Sequence, residues 1–248
     1  ITNGLRGYNY IEDISPDKTK ILIASFTDWD RKKDSKGTLY VYDINNLNAE
    51  PIEIVQGFSQ YSYSPAAKWL NNTELVYVAR GEQGDGIYQI DIYGTHPIKI
   101  NSLGHRPERI VAVDSERVYW TLGEYKDYYV RKGDYTAIWW SSLDGSVQGK
   151  LEFEGVQVEF FAYNYAFSPD GKWIAWFPSR PEEECNTINK IRELSQSGEL
   201  GETCKFLYLG ELSNPDVVEK ISLVPPDEAK EMIEHNLVYD NYYITWDV

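Results

Sequence analysis

The chain has 248 residues, of which 42% are hydrophobic and 25% charged, and this composition excludes a generally disordered chain. Its formal net charge is −15, so most of its surface repels phosphate backbones and anionic lipid, and neither nucleic acid nor a membrane surface is expected as a partner. No apolar run is long enough for a membrane-spanning helix. Because it begins with Ile-Thr-Asn rather than Met, we expect a mature secreted form or a piece of a longer protein.

Aromatic residues favour strands over helices, and four short apolar strands recur four times along the chain. The second strand of each repeat is the clearest and follows a first strand and a turn: 20–26, 73–79, 116–122 and 172–178. A third strand follows after a connection: 38–44, 86–92, 137–143 and 205–211. A fourth comes after a polar turn: 51–57, 96–102, 147–153 and 218–224.

Four antiparallel strands per repeat are typical of a β-propeller, in which each twisted sheet buries both faces against its neighbours. We therefore predict an all-β fold and one propeller domain over residues 1–248; a face-packed β-sandwich is the alternative. The predicted four-stranded antiparallel blades are 9–57, 58–105, 106–155 and 156–224. Residues 225–248 are predicted to supply a connector and the first strand of a possible fifth blade, and 186–197 a small helical insertion.

Two turns suit a tight reversal, because Pro presets φ and Asp bonds to its own backbone: Ser15-Pro16-Asp17 and Ser168-Pro169-Asp170-Gly171. With the third strand at 86–92, these turns resemble the repeat of TolB-like, WD40-like propellers. That resemblance implies the fold but no single activity, because TolB-like blades serve as periplasmic binding modules and as lids on serine peptidases. The turn of the second repeat departs from the pattern and has Leu70-Asn71-Asn72.

The connections between second and third strands are long, and long loops in compact domains are often functional. They combine aromatic residues with Arg, the residue types that anchor protein interfaces. We predict that this loop face binds a protein or peptide. The candidate binding residues are Trp29, Arg31, Arg80, Tyr125, Tyr128, Tyr129, Arg131 and Arg180.

Cys185 and Cys204 are the only cysteines and flank the predicted helical insertion. Since such an excursion has little core of its own, we predict a disulfide between them, which implies an extracytoplasmic location: periplasmic, secreted or cell surface.

We find no catalytic motif, no cofactor motif and no metal-ligand spacing, and the calcium-like Asp28, Asp30 and Asp34 miss the required pattern. The leading hypothesis is a non-catalytic binding module. One alternative is the propeller of a serine peptidase resembling the prolyl oligopeptidase group, without its hydrolase domain. A further alternative is a glycosidase or lyase, for which the first strands offer three carboxylates: Glu12, Asp13 and Asp114.

Overall fold

The computed structural model describes eight stretches of the chain, and the statements below concern these residues: 7–26, 35–60, 66–79, 84–101, 107–122, 137–153, 165–176 and 206–222. Their regular structure is β-strand apart from a single 3-10 turn at Ile44–Asn46. The chain divides into two compact units, Ile1–Leu151 and Glu152–Val248.

The described part of the first unit holds three four-stranded sheets. The first consists of β1 (Tyr8–Ile14), β2 (Lys20–Phe26), β3 (Ser35–Asp43) and β4 (Ile52–Gln60). The second consists of β5 (Ala67–Trp69), β6 (Glu74–Ala79), β7 (Gly86–Asp91) and β8 (Ile98–Lys99). The third consists of β9 (Pro107–Val113), β10 (Arg117–Leu122), β11 (Ile138–Ser142) and β12 (Gln148–Lys150).

The second unit holds one further sheet of the same kind. It consists of β13 (Tyr165–Phe167), β14 (Trp173–Trp176), β15 (Phe206–Glu211) and β16 (Asn214–Ser222). In all four sheets, neighbouring strands are antiparallel and follow chain order. The four-strand repeat predicted from the sequence is therefore confirmed.

The predicted and observed strands differ mainly at their ends. The fourth strand of the second sheet is only two residues long because the Asn101 side chain, not a further ladder carbonyl, accepts from Ile87 N at 2.6 Å. In the first sheet β4 runs on to Gln60, beyond the predicted blade boundary at 57. The predicted helix at 186–197 and the predicted strand within 225–248 lie outside the described residues.

An aromatic pair recurs at the same register in three of the sheets. Each pair joins a second strand to a third strand and stacks within 30° of parallel, at centroid distances of 5.8, 5.9 and 5.3 Å: Tyr77–Tyr88, Trp120–Trp139 and Trp176–Tyr208. Tyr77, Trp120 and Trp176 are at most 1% exposed, so the Trp and Tyr in these strands build the core, as expected of cross-strand aromatic pairs.

In the first unit, the sheets pack through their first strands and through a shared apolar core. Strand β5 contacts both β1 and β9, and the core joins residues from all three sheets, among them Leu39, Val76 and Trp120. In each sheet, the turn end is the end at which the first strand connects to the second and the third strand connects to the fourth. The loop end is the opposite end, at which the second strand connects to the third. The turn ends of the first two sheets lie together, since Asp17 N donates to Asn72 Oδ1 at 3.0 Å.

Two glycines in turn-end connections allow neighbouring sheets to pack closely. Gly94 has φ +74°, and a Cβ there would lie 2.6 Å from the carbonyl oxygen of Ile54 in the preceding sheet. Gly145, with φ +72°, approaches Ile100 O in the same way, with 3.1 Å to a Cβ. Both positions need the left-handed conformation and close approach that glycine permits.

Candidate functional site

Side chains at the turn ends are bonded to their own turns. In the first turn, Asp17 Oδ1 accepts from Ser15 Oγ at 2.6 Å and from Thr19 N at 3.0 Å, and these bonds hold its pKa at about 2. Asp144 Oδ1 likewise accepts from Ser142 Oγ at 2.6 Å and Ser146 N at 2.9 Å, with a pKa also near 2. Donors aimed at a carboxylate stabilise its charged form.

The remaining turns follow the same scheme. The hydroxyl groups of Thr95 and Ser168 lower the pKa values of Asp91 and Asp170, respectively. In the second sheet, where the sequence departs from the repeat, Asn71 Oδ1 replaces the carboxylate and accepts from Thr73 N and Glu74 N. The turn ends therefore present carboxylates whose bonding capacity is largely used locally.

Several apolar side chains are exposed at or beside the turn-end connections of the first unit: Ile14, Leu47, Ile52, Tyr93, Ile98 and Val147. Tyr93 is the most exposed of them, at 72%. Single exposed apolar residues are ordinary on soluble proteins.

At the loop ends, the second strands lead into the long connecting segments that the sequence singles out. All eight predicted binding residues fall in these segments and lie outside the described residues: Trp29, Arg31, Arg80, Tyr125, Tyr128, Tyr129, Arg131 and Arg180. Cys185, Cys204 and the calcium-like Asp28, Asp30 and Asp34 also lie outside them.

The described rim of this end is best defined in the second sheet. Lys99 lies on the outer strand opposite Tyr88, and its Nζ is 5.9 Å from the centre of that ring. The same Nζ donates to the carbonyl oxygen of Asp85 at 2.8 Å. An ammonium has three donors, so Lys99 keeps two that no described residue accepts. Burial raises the pKa of Tyr77, whose ring stacks with that of Tyr88, to about 12.

Asn101 lies beside Lys99 and is 1% exposed. Its Oδ1 accepts from Ile87 N, whereas its Nδ2 has no partner among the described residues. A Cβ on Gly86 would lie 2.5 Å from Lys99 Cε and 2.7 Å from Asn101 Oδ1, so the absence of a side chain at Gly86 brings the two side chains together. The loop end thus has the Lys99 side chain beside the Asn101 side chain.

The carboxylates of the first strands have structural partners. Glu12 is 6% exposed, and its Oε2 accepts from Ala66 N at 2.7 Å and Ala67 N at 3.2 Å. Asp13 accepts from Trp69 N at 2.9 Å. These N–H groups lie on or just before β5, the innermost strand of the second sheet, whose edge would otherwise be unpaired.

The third such carboxylate, Asp114, accepts from Glu116 N and Arg117 N, both at 2.7 Å, within its own turn. All three candidates for a carboxylate mechanism are therefore bonded to backbone N–H groups.

Sequence reasoning missed Lys99 and Asn101. A signal was present in the fourth strands, which read PIEIV at 51–55 and PIKIN at 97–101. Asn101 occupies the position that Val55 occupies in the first repeat, and both residues are buried. A buried polar side chain at a position that is otherwise apolar requires a hydrogen-bonding partner.

The described stretches contain neither a metal-ligand cluster nor a membrane-spanning helix. No group of His, Cys, Asp and Glu there could hold a metal ion. No helix in this part of the chain is long and apolar enough to cross a membrane.

No protein-family model and no curated protein matches the chain. Among solved structures, it is similar to dipeptidyl peptidase 4 from Porphyromonas gingivalis, with 14% identity, a TM-score of 0.50, and coverage of 91% of this chain and 28% of that one. It is also similar to TolB from Acinetobacter baumannii, of the family that its repeats resemble, with 16% identity, a TM-score of 0.49, and coverage of 88% and 44%. An oligogalacturonate lyase in complex with manganese matches with 13% identity, a TM-score of 0.48, and coverage of 90% and 56%.

The chain spans less than two thirds of each of these structures. At such identities the likeness shows the fold alone. Together with the four antiparallel sheets in chain order, it confirms an all-β propeller fold.

Proposed function

We propose that this chain is a non-catalytic binding module whose loop ends take a protein or peptide partner. The observation that carries the proposal is the contrast between the two ends of the second sheet. Asn71 and Asp91 use their acceptors within the turns, whereas Lys99 and Asn101 keep unused donors at the loop end.

The chain connectivity supports the same assignment. In the first unit, β2, β6 and β10 end at the loop ends and lead into 27–34, 80–83 and 123–136, which hold seven of the eight predicted binding residues. Aromatic and Arg side chains contribute most to protein interfaces, and loops on a rigid sheet can vary without cost to the core. An extracytoplasmic location is part of the proposal and depends on the predicted Cys185–Cys204 disulfide.

A displayed library of random peptides provides the test. We expect peptides selected on the immobilised chain to lose binding when Trp29, Tyr128, Tyr129 and Arg131 are changed together to Ala. Tyr93→Ala is the matched control, since it removes an exposed aromatic ring at the turn end. Tyr93→Ala should retain the melting temperature, because an exposed side chain contributes little to stability, and thermal melting of the quadruple variant establishes that it is folded.

Equal peptide binding by the quadruple variant and the wild type would refute the proposed surface. A loss of binding in Tyr93→Ala alone would move the site to the turn end. The sequence that follows Val248 in the parent gene separately tests the peptidase alternative, because that alternative requires a hydrolase domain with a nucleophile elbow.

A further inference from the structure

We propose that Lys99 and Asn101 form a subsite for a carboxylate group of the partner, at the loop end of the second sheet. This inference rests on the proposed function and adds a ligand chemistry to it. Neither residue is among those that the sequence singles out.

Three of the four sheets have a lysine opposite the aromatic position of the third strand. The residues at this register are Glu53 in the first sheet, Lys99 in the second, Lys150 in the third and Lys220 in the fourth. Glu53 is engaged locally, since it accepts from Gln56 Nε2 at 2.5 Å and from Tyr40 OH at 3.5 Å. Among the described residues Lys99 donates to Asp85 O alone, and its side chain is exposed, so its charge is available to a ligand.

Asn101 supplies the second donor. Native proteins pair nearly all buried polar atoms, so a buried amide with no partner marks a bond that another molecule can complete. Ile87 N donates to Asn101 Oδ1, and this hydrogen bond sets the direction in which the Nδ2 of the same amide points. The orientation of the unpaired donor is therefore set before any ligand binds.

A carboxylate matches this pair of donors. Its two oxygens can accept from an ammonium and an amide at once, and bonds from a charged donor are the stronger kind. The Lys99 stem is flexible, and its Cε lies next to Gly86, as does Asn101 Oδ1, so the ammonium can turn from Asp85 O towards a ligand beside the amide. A singly charged group also suits a chain with net charge −15, which repels a phosphate dianion more strongly.

The test is a titration of the ¹⁵N-labelled full chain followed by NMR. N-acetylalanine is the probe and N-acetylalaninamide, which lacks the carboxylate, is its matched control. We expect saturable shifts of the Asn101 side-chain amide and of the Ile87 backbone amide with the acid, and none with the amide compound.

Variants assign the effect to the two residues. Lys99→Gln should weaken binding of the acid about tenfold, the loss expected for one charge-assisted hydrogen bond. Asn101→Asp keeps an acceptor for Ile87 N but faces the ligand with a like charge, and it should abolish the shift of the Ile87 backbone amide, the reporter that remains in this variant. Lys172→Gln is the control, because that exposed lysine is 3.5 Å from Asp170 at a turn end. Thermal melting of each variant establishes that it is folded.

Equal shifts with both compounds, no shifts with the acid, or unchanged binding in folded Lys99→Gln would each overturn the subsite. The peptide test separates this failure from that of the proposed function. If the quadruple loop variant loses peptide binding and Lys99→Gln keeps it, the proposed function stands and the subsite is refuted. If N-acetylalanine binds at Lys99 but the quadruple loop variant binds peptides as the wild type does, the subsite stands and the predicted loop surface is refuted.

The source of the carboxylate is decided with the selected peptides. Amidating the C-terminus tests the terminal carboxylate, and changing Asp and Glu to Asn and Gln tests side chains. The subsite is supported if either change to the peptide weakens its binding to the wild-type chain but does not weaken its binding to the Lys99→Gln variant. Unchanged binding after both changes contradicts it.

Discussion

The two ends of the second sheet contain polar residues of similar kinds and use them differently. At the turn end, Asn71 and Asp91 accept from neighbours two to four residues away, and Gly94 packs on the carbonyl of Ile54. At the loop end, Lys99 and Asn101 lie together with donors that no described residue accepts. The comparison indicates that one end is closed around its own backbone to hold adjacent sheets together. The other end keeps bonding capacity that a partner can use.

A pair of glycines provides the largest expected contrast. Gly94 at the turn end and Gly84 at the loop end both have positive φ, of 74° and 83°. A Cβ would lie 2.6 Å from Ile54 O at Gly94, but no closer than 3.7 Å to any atom of the described residues at Gly84. We expect Gly94→Ala to lower the free energy of unfolding by about 3 to 4 kcal/mol, from conformational strain plus overpacking, and Gly84→Ala by about 1 kcal/mol, from strain alone.

Urea denaturation of the two variants measures the difference. Gly145→Ala should fall between them, because its contact with Ile100 O is looser, at 3.1 Å. Equal losses for Gly94→Ala and Gly84→Ala would contradict the close packing of sheets at the turn end.

Glu12 sharpens the comparison, because it is a buried carboxylate that serves structure away from either end. Glu12→Ala leaves the N–H groups of Ala66 and Ala67 without this acceptor and should cost about 2 to 3 kcal/mol of unfolding free energy. Glu12→Gln retains an acceptor oxygen and should cost less than half as much. Glu50→Ala, at an exposed position, is the control. If it lowers the free energy of unfolding as much as Glu12→Ala does, the loss comes from the charge and not from the bonds of Glu12 to the backbone.

The sequence predicted the strands well because each repeat joins an apolar second strand to a turn of specific chemistry. The Ser-Pro-Asp turns predicted the reversals at Ser15 and Ser168, and the bonds of Asp17 and Asp170 explain why. It could not predict that Glu12 reaches the backbone of β5, since that contact joins positions 54 residues apart. Lys99 and Asn101 were missed for a similar reason, because their proximity depends on the missing side chain of Gly86.

The pH dependence of stability gives a smaller effect. The pKa of Asp144 is about 2 in the folded chain and 3.8 as the ordinary value, so folding favours the charged form. Its contribution is complete above about pH 4 and is lost as pH falls towards 2. Asp144→Asn should therefore lower the urea midpoint at neutral pH and reduce its decline between pH 4 and pH 2. An unchanged slope in this interval would contradict the role of the turn bonds.

The most direct test of the central claim is hydrogen exchange, measured by mass spectrometry, of the full chain with and without a selected peptide. Binding at the loop ends predicts slower exchange in fragments that cover 80–88 and 123–138, with unchanged exchange at the turn fragments 43–51 and 142–148. Protection confined to those turn fragments would contradict the claim.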